Sequence, residues 1–232
     1  MRYEIVLADI DNTLFDFDAD ARQALEKTFL RFGFPWNETE KERYFAINHG
    51  LWADFEQGKI EKSAIYTTRF RRYLDEAGLD ADPDEVNRFY MARLGEGSNY
   101  MPDAKRLLEA LNAMGCRVFA ATNGATHVQE PRLQRSGMLH LFEKVYISEQ
   151  VGFQKPTAAY FDHIFAELGE DKRKTAIILG DSLTSDMQGG RNAGIATCFF
   201  GDPARADHRC DHVIETLMDF VSVVQEKEIK PC

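Results

Sequence analysis

The sequence predicts an α/β protein: a doubly wound, Rossmann-like parallel sheet core with an all-helical cap inserted after its first strand. Three observations predict it. Short, continuous apolar runs recur along the chain, as in strands covered on both faces. Helical patterns with clear start and stop signals alternate with those runs. Residues 16–97 break the rhythm; they are rich in helix formers and aromatics and contain no convincing strand.

The first run is Ile5–Ala8, and further runs lie at residues 118–121, 145–147, 176–179 and 197–200. Between them, "PDAKRLLEALNAMG" opens at Pro102-Asp103, sets Leu107, Leu108 and Leu111 on one helical face and stops at Gly115. "KPTAAYFDHIFAELG" repeats that grammar from Pro156 to Gly169. Within the inserted block, breaks at Phe34-Pro35, Gly58, Gly78 and Pro83 mark out about four helices. The expected division is a catalytic core of residues 1–15 and 98–232 and a helical cap of residues 16–97.

Bulk properties narrow the function classes. The 232 residues are 44% hydrophobic, enough for a real core. A formal net charge of −10 argues against partners such as nucleic acid polymers or anionic membranes, though not against a small anionic substrate. Cys116, Cys198, Cys210 and Cys232 form no C-x-x-C pair, and free thiols are expected. Cys232 is not at a prenylation position, the N-terminus does not read as a signal peptide, and no run of eighteen apolar residues occurs. These features lead to the expectation of a cytoplasmic protein, monomeric or a small homo-oligomer.

The chemistry-bearing residues collect just after the strands. Asp9 and Asp11 follow the first run, Thr122-Asn123-Gly124 the second and Gly180-Asp181-Ser182 the fourth, with Asp186 five residues on and Lys155-Pro156 opening a helix. Ligands of open parallel sheets bind beyond the carboxyl ends of the strands. Residues i and i+2 of an extended segment share a side, so Asp9 and Asp11 are expected to face one site and, with Asp181, to bring three carboxylates together. Such charges repel unless a cation joins them, and all-oxygen ligation suits Mg2+. Lys155 would supply charge and Thr122 a hydroxyl for phosphoryl oxygens, with backbone N–H groups near Asn12, Asn123 and Gly124 as further donors. In that chemistry Asp9 attacks phosphorus and Asp11 moves protons, and Asp9 beside Mg2+ and Lys155 is expected to stay ionised.

The stretches "DIDNTLF", "TNG", "KP" and "GDSLTSD" resemble, in order, the four motifs of the haloacid dehalogenase superfamily. The resemblance implies Asp9 as nucleophile, Asp11 as general acid/base and Thr122 and Lys155 as phosphate ligands. It implies Mg2+ held by Asp9, the backbone carbonyl of Asp11 and Asp181, with Asp186 in support. An acid at position 11 implies a phosphatase, and residues 16–97 then resemble the superfamily's α-helical cap. "INHGLWADFEQGKI", "TRF", "TNGATHVQEPRLQRSGM" and "SEQVGFQKP" are similar to the pyrimidine 5'-nucleotidase branch, which implies UMP, dUMP, dTMP and analogues as substrates.

Within the cap, Phe45, His49 and Trp52 fall at i, i+4 and i+7, with Asn48 beside them. Asn48, His49 and Trp52 are candidates for stacking on and hydrogen-bonding to a base, whereas Phe45 reads as core. The run Arg69-Phe70-Arg71-Arg72 reads as a solvated face with one buried aromatic. Two alternatives stay open: a phosphatase for another metabolite, such as a sugar phosphate or phosphoglycolate, and a phospho-acceptor signalling domain without turnover.

Overall fold

The computed structural model describes residues 2–225. Cys232 lies outside the described residues. The chain through Phe17, resumed at Ser98, forms one compact unit, and Asp18–Gly97 forms a second.

The first unit is built on a six-stranded, wholly parallel sheet: β1 (Ile5–Ala8), β2 (Arg117–Thr122), β3 (Lys144–Ile147), β4 (Ala176–Gly180), β5 (Ala196–Phe200) and β6 (His212–Ile214). The spatial order is β3-β2-β1-β4-β5-β6. That is the order of a Rossmann-like doubly wound sheet, with its switch point between β1 and β4. β6 is absent from the sequence-based expectation. It has three residues, and the polar run Arg209–Asp211 just before it hides so short a strand from any pattern.

Four helices, α1 (Phe17–Phe32), α2 (Glu38–Glu56), α3 (Lys62–Ala77) and α4 (Pro83–Leu94), follow β1 and make up the second unit. Their ends follow from local chemistry. Asn37 caps α2 by accepting from the Glu40 N–H at 3.1 Å, Asp82 caps α4 ahead of Pro83, and Gly78 ends α3 at a φ of 64°. Tyr44, Phe70, Tyr73 and Tyr90 pack ring against ring in the interior. Arg69 departs from the solvated face expected of it. It is buried, donates from Nε to Asn87 Oδ1 at 2.9 Å and stacks 4.7 Å over the Tyr90 ring.

The sheet is covered on both faces by helices that return after β1: α5 (Ala104–Ala113), α6 (Thr126–Ser136), α7 (Ser148–Val151), α8 (Ala158–Leu168), α9 (Gln188–Ala193) and α10 (Asp219–Gln225). Alternation along the strands separates the two layers. Val6, Ala8, Val118, Ala120, Ile177 and Leu179 face Leu107, Leu108, Leu111, Leu133, Phe220 and Val224. Ile5, Leu7, Phe119, Ala121 and Ile178 face Tyr160, Phe161, Ile164 and Phe165 of α8. Cys116, Cys198 and Cys210 form no disulfide among the described residues; the first two are buried and Cys210 is half-buried. Among the described residues no helix is long and apolar enough to cross a membrane.

Helix α9 approaches the sheet closely because Gly190 has no side chain. A Cβ there would lie 2.5 Å from Thr197 Cγ2 and 2.8 Å from Ile178 Cγ2, both on stiff β-branched residues of central strands. Gly190→Ala should therefore destabilise the protein by about 1–3 kcal/mol through overpacking. Urea denaturation measures this, and an unchanged midpoint would contradict the close packing described.

Candidate active site

The site lies where β1, β2 and β4 end. The Asp9 N–H still pairs with the Leu179 carbonyl at 2.9 Å, so Asp9 leaves β1 at a position the sheet itself sets. The chain then turns sharply at Asn12, whose φ of 58° is left-handed, a conformation asparagine tolerates. The carbonyl of Ile10 accepts from Leu14 and Phe15 at 2.9 and 2.8 Å, which closes the turn and holds Asp11 just outside the sheet.

Lys155 is the centre of the cluster. Its side chain is 1% exposed, and Nζ donates to Asp9 Oδ1 at 2.6 Å, Asp186 Oδ1 at 2.6 Å and the Ala121 carbonyl at 2.7 Å. An ammonium has three N–H groups, so these contacts account for all of them. Lys155 was expected to reach a phosphate; its donors instead hold Asp9 and Asp186, and its remaining influence on an anion is that of a nearby charge. Asn123, whose backbone N–H was expected among the phosphate donors, uses its side chain on the backbone of Lys155. Its Nδ2 donates to the Lys155 carbonyl at 2.8 Å, and its Oδ1 accepts from the Lys155 N–H at 3.0 Å. The Asn12 and Gly124 N–H groups are taken as well, by the Phe15 carbonyl and by Thr122 Oγ1.

Three carboxylates do converge, but the third is not Asp11. Oxygens of Asp9, Asp181 and Asp186 lie within 4.8 Å of one another. Asp186 reaches in from a wide π turn at Leu183–Met187, with Oδ2 accepting from the Ser182 N–H at 3.1 Å. It fits only because Gly180 lacks a side chain; a Cβ there would lie 2.2 Å from Asp186 Oδ2. The buried Thr13 hydroxyl lies 3.4 Å from both Asp9 Oδ2 and Asp181 Oδ1, and its single proton cannot satisfy both.

Three acids around one ammonium leave the cluster short of positive charge. Burial pushes the Asp9 carboxyl well above the usual carboxylate range; Lys155 pulls it back, while Asp186 and Asp181 push it further up. Lys155 by itself does not offset that burial and repulsion; the expectation that Asp9 stays ionised rests on Lys155 and Mg2+ together. Burial likewise raises Asp181, with Asp186 adding to it, to about 7. For Lys155 burial works against the ammonium, but Asp186 and Asp9 outweigh it and keep the charge on. A hard divalent cation between Asp9 and Asp181 would relieve the deficit, so the donor set fits Mg2+. Asp186, with both oxygens engaged, reads as the anchor of Lys155.

The Asp11 carboxylate turns instead toward α6. Oδ2 accepts from Gln129 Nε2 at 2.8 Å, and Oδ1 accepts from Arg132 Nη1 at 2.5 Å. Gln129 Nε2 also donates to Thr122 Oγ1 at 2.8 Å. Sequence reasoning passed over Gln129 and Arg132. The available signal was a polar pair at i and i+3 on the helix that begins just after Thr122-Asn123-Gly124.

In the second unit the candidates separate. Asn48 is buried on the face shared by Tyr44, Leu51 and Phe55, and its Oδ1 has no hydrogen-bond partner among the described residues. Trp52 is half-buried, edge-on to Phe55 at 5.7 Å. His49 is exposed and tilted against half-buried Phe45 at 5.9 Å.

Comparison with known proteins places the chain in a family. The model for haloacid dehalogenase-like hydrolases matches residues 3–194. The chain belongs to the haloacid dehalogenase-like hydrolases. Pyrimidine 5'-nucleotidase PynA of Streptococcus pneumoniae is 35% identical over 90% of this chain and 88% of its own. Pyrimidine 5'-nucleotidase YjjG of Escherichia coli is 31% identical over 90% and 89%. The solved structure of the family hydrolase YfnB from Bacillus subtilis, bound to magnesium, superimposes with a TM-score of 0.91 at 32% identity, covering 97% of this chain and 100% of that one. For this hydrolase the motif residues, Asp186 among them, thus fall in one place, with Gln129 joining them from α6 without announcement by any motif.

The raised Asp181 carboxyl has a sign that can be checked. A carboxyl whose folded-state pKa is raised from 3.8 to about 7 costs stability as pH climbs through that window, and the full cost is present above it. In chelator, this group should make the protein less stable at pH 8 than at pH 5. Mg2+ at a hundredfold excess over its Kd should add about 2.7 kcal/mol at pH 8, and less at pH 5. Thermal melts at both pH values, with chelator and with Mg2+, measure this; a Mg2+ effect equal at both would count against it.

Proposed function

We propose that this hydrolase is a Mg2+-dependent phosphomonoesterase acting on pyrimidine nucleoside 5'-monophosphates, UMP, dUMP, dTMP and their analogues, through an aspartyl-phosphate. The observation that carries the phosphate reading is Thr122. Its buried hydroxyl accepts from both Gln129 Nε2 and the Gly124 N–H, at 2.8 and 3.0 Å, so its own proton is left to donate to an acceptor such as a phosphoryl oxygen. The choice of nucleotide rests on the two pyrimidine 5'-nucleotidase relatives.

The residues divide the work. Asp9 attacks phosphorus with a carboxylate oxygen while the bond from phosphorus to the ester oxygen breaks. Asp11 gives its proton to the departing alcohol oxygen. Water then attacks the phosphorus of the aspartyl-phosphate and gives a proton to Asp11, and the acyl-phosphate P–O bond breaks to release orthophosphate and the Asp9 carboxylate. Lys155 keeps Asp9 in place and its charge near the developing negative charge. Asp9, Asp181 and the backbone carbonyl of Asp11 would hold Mg2+, which when bound offsets the charge of the phosphoryl group and of the acid cluster. Asp186 supports the cluster through Lys155. The choice among substrates is assigned to the helical unit as a cap, with Asn48 the first candidate because a buried acceptor without a partner is costly unless a ligand supplies a donor.

Asp9→Asn should abolish turnover, and a panel of UMP, dUMP, dTMP, sugar phosphates and phosphoglycolate should show the pyrimidine nucleotides with the highest kcat/KM. Chelator should remove the activity. Nucleotide hydrolysis by Asp9→Asn at the parental rate would disprove the nucleophile. A preference for sugar phosphates would redirect the substrate reading and leave the mechanism standing. Stable phosphorylation of Asp9 without turnover would favour a signalling role.

A further inference from the structure

We infer that Gln129 and Arg132 are positioning residues for the proton carrier Asp11, a closed clamp that fixes its carboxylate relative to the phosphate-binding hydroxyl of Thr122. This rests on the reading of Asp11 as general acid/base. Gln129 and Arg132 are both wholly buried and lie three residues apart on one face of α6. Together with Asp11 they form a ring. Arg132 Nη1 donates to Asp11 Oδ1 at 2.5 Å and to Gln129 Oε1 at 2.8 Å, and Gln129 Nε2 closes the ring on Asp11 Oδ2 at 2.8 Å.

The ring has only one workable orientation. Flipping the Gln129 amide would set its oxygen against the Asp11 carboxylate and its nitrogen against the guanidinium. The second N–H of Gln129 goes to Thr122 Oγ1, so one planar amide sets the spacing between the proton carrier and a phosphate ligand. The amide has room only because Gly124 has no side chain; a Cβ there would lie 2.4 Å from Gln129 Nε2. Arg132 is in turn seated on aromatic faces, its guanidinium carbon 4.9 Å from the Phe15 ring centre and 5.6 Å from that of Phe17. Charged hydrogen bonds in so dry a setting are strong. They occupy two of the roughly four lone-pair sites of the carboxylate, which leaves sites for the transferable proton. A buried ring serving packing alone would have no need to end on Asp11, whose side chain is 26% exposed.

The role has a signature that simple packing lacks. Expulsion of a basic alcohol, as from UMP, needs a proton at the leaving oxygen, whereas p-nitrophenyl phosphate expels a weakly basic phenolate and needs little help. Asp11→Asn should lower kcat/KM for UMP by roughly 10²–10⁴-fold, and far less for p-nitrophenyl phosphate. Arg132→Lys keeps the buried charge but loses the guanidinium plane that rests on Phe15 and Phe17 and sets Nη1 against both Asp11 and Gln129, and should lower kcat/KM for UMP by roughly 10–100-fold, with the aryl ester again much less affected. On an Asp11→Asn background Arg132→Lys should cost nothing further, because its effect runs through Asp11. Gln129→Met carries the same comparison if the Arg132 variant does not fold. Equal losses on the two esters, losses that multiply with Asp11→Asn, or parental rates throughout would each overturn the positioning role. If Asp11→Asn itself showed no preference between the esters, the acid–base reading would fall, and this inference with it. A preference in Asp11→Asn but not in the α6 variants would sink the clamp alone.

Discussion

The site depends on one buried ammonium. Lys155 sits between Asp9 and Asp186 with every N–H engaged, and the surrounding structure serves that arrangement. Asn123 holds its backbone by both the N–H and the carbonyl, Gly180 leaves room for Asp186, and the π turn after β4 aims Asp186 inward. Removing one partner of such a buried pair strands a charge, which costs several kcal/mol. The strands β1, β2 and β4 must therefore end in register for the lysine to be tolerated at all.

The same cluster shows how stability gives way to function. Three carboxylates compete for one cation, and burial together with mutual repulsion raises Asp9 and Asp181. A structure selected for stability alone would not collect these charges. Their cost is intelligible if the site is completed by a metal and a phosphoryl group, one bringing the missing positive charge and the other the acceptor for the Thr122 proton. A polar residue that looks like a phosphate ligand in the sequence becomes a support, as Lys155 does, because a buried charge needs its neighbours first.

Much of this was legible in the chain. Five of the six strand positions, the helices around Leu107 and Phe161, and the four helices of residues 16–97 follow from local periodicity and punctuation, which act over a few residues. So do the clusters after β1, β2 and β4, because a parallel sheet places strand ends side by side. Apart from the short strand β6, the misses are non-local. Gln129 and Arg132 meet Asp11 across more than a hundred residues of chain, and no spacing rule joins them. Arg69 is drawn inward by Tyr90 and Asn87 of another helix, where its neighbours Arg71 and Arg72 suggested a solvated face.

The sequence by itself determined five strands of the sheet, the helical insertion and the order of the motif residues, because strand length, continuous apolar runs and turn residues are local properties. Tertiary structure decided what each motif residue does with its hydrogen bonds. It turned Asp11 away from the other acids and toward α6, brought Asp186 in as the third carboxylate, and spent the donors of Lys155 and the side chain of Asn123 within the protein. A side chain's donors and acceptors are allotted by whatever distant groups lie within about 3 Å, and only the folded chain settles which groups those are.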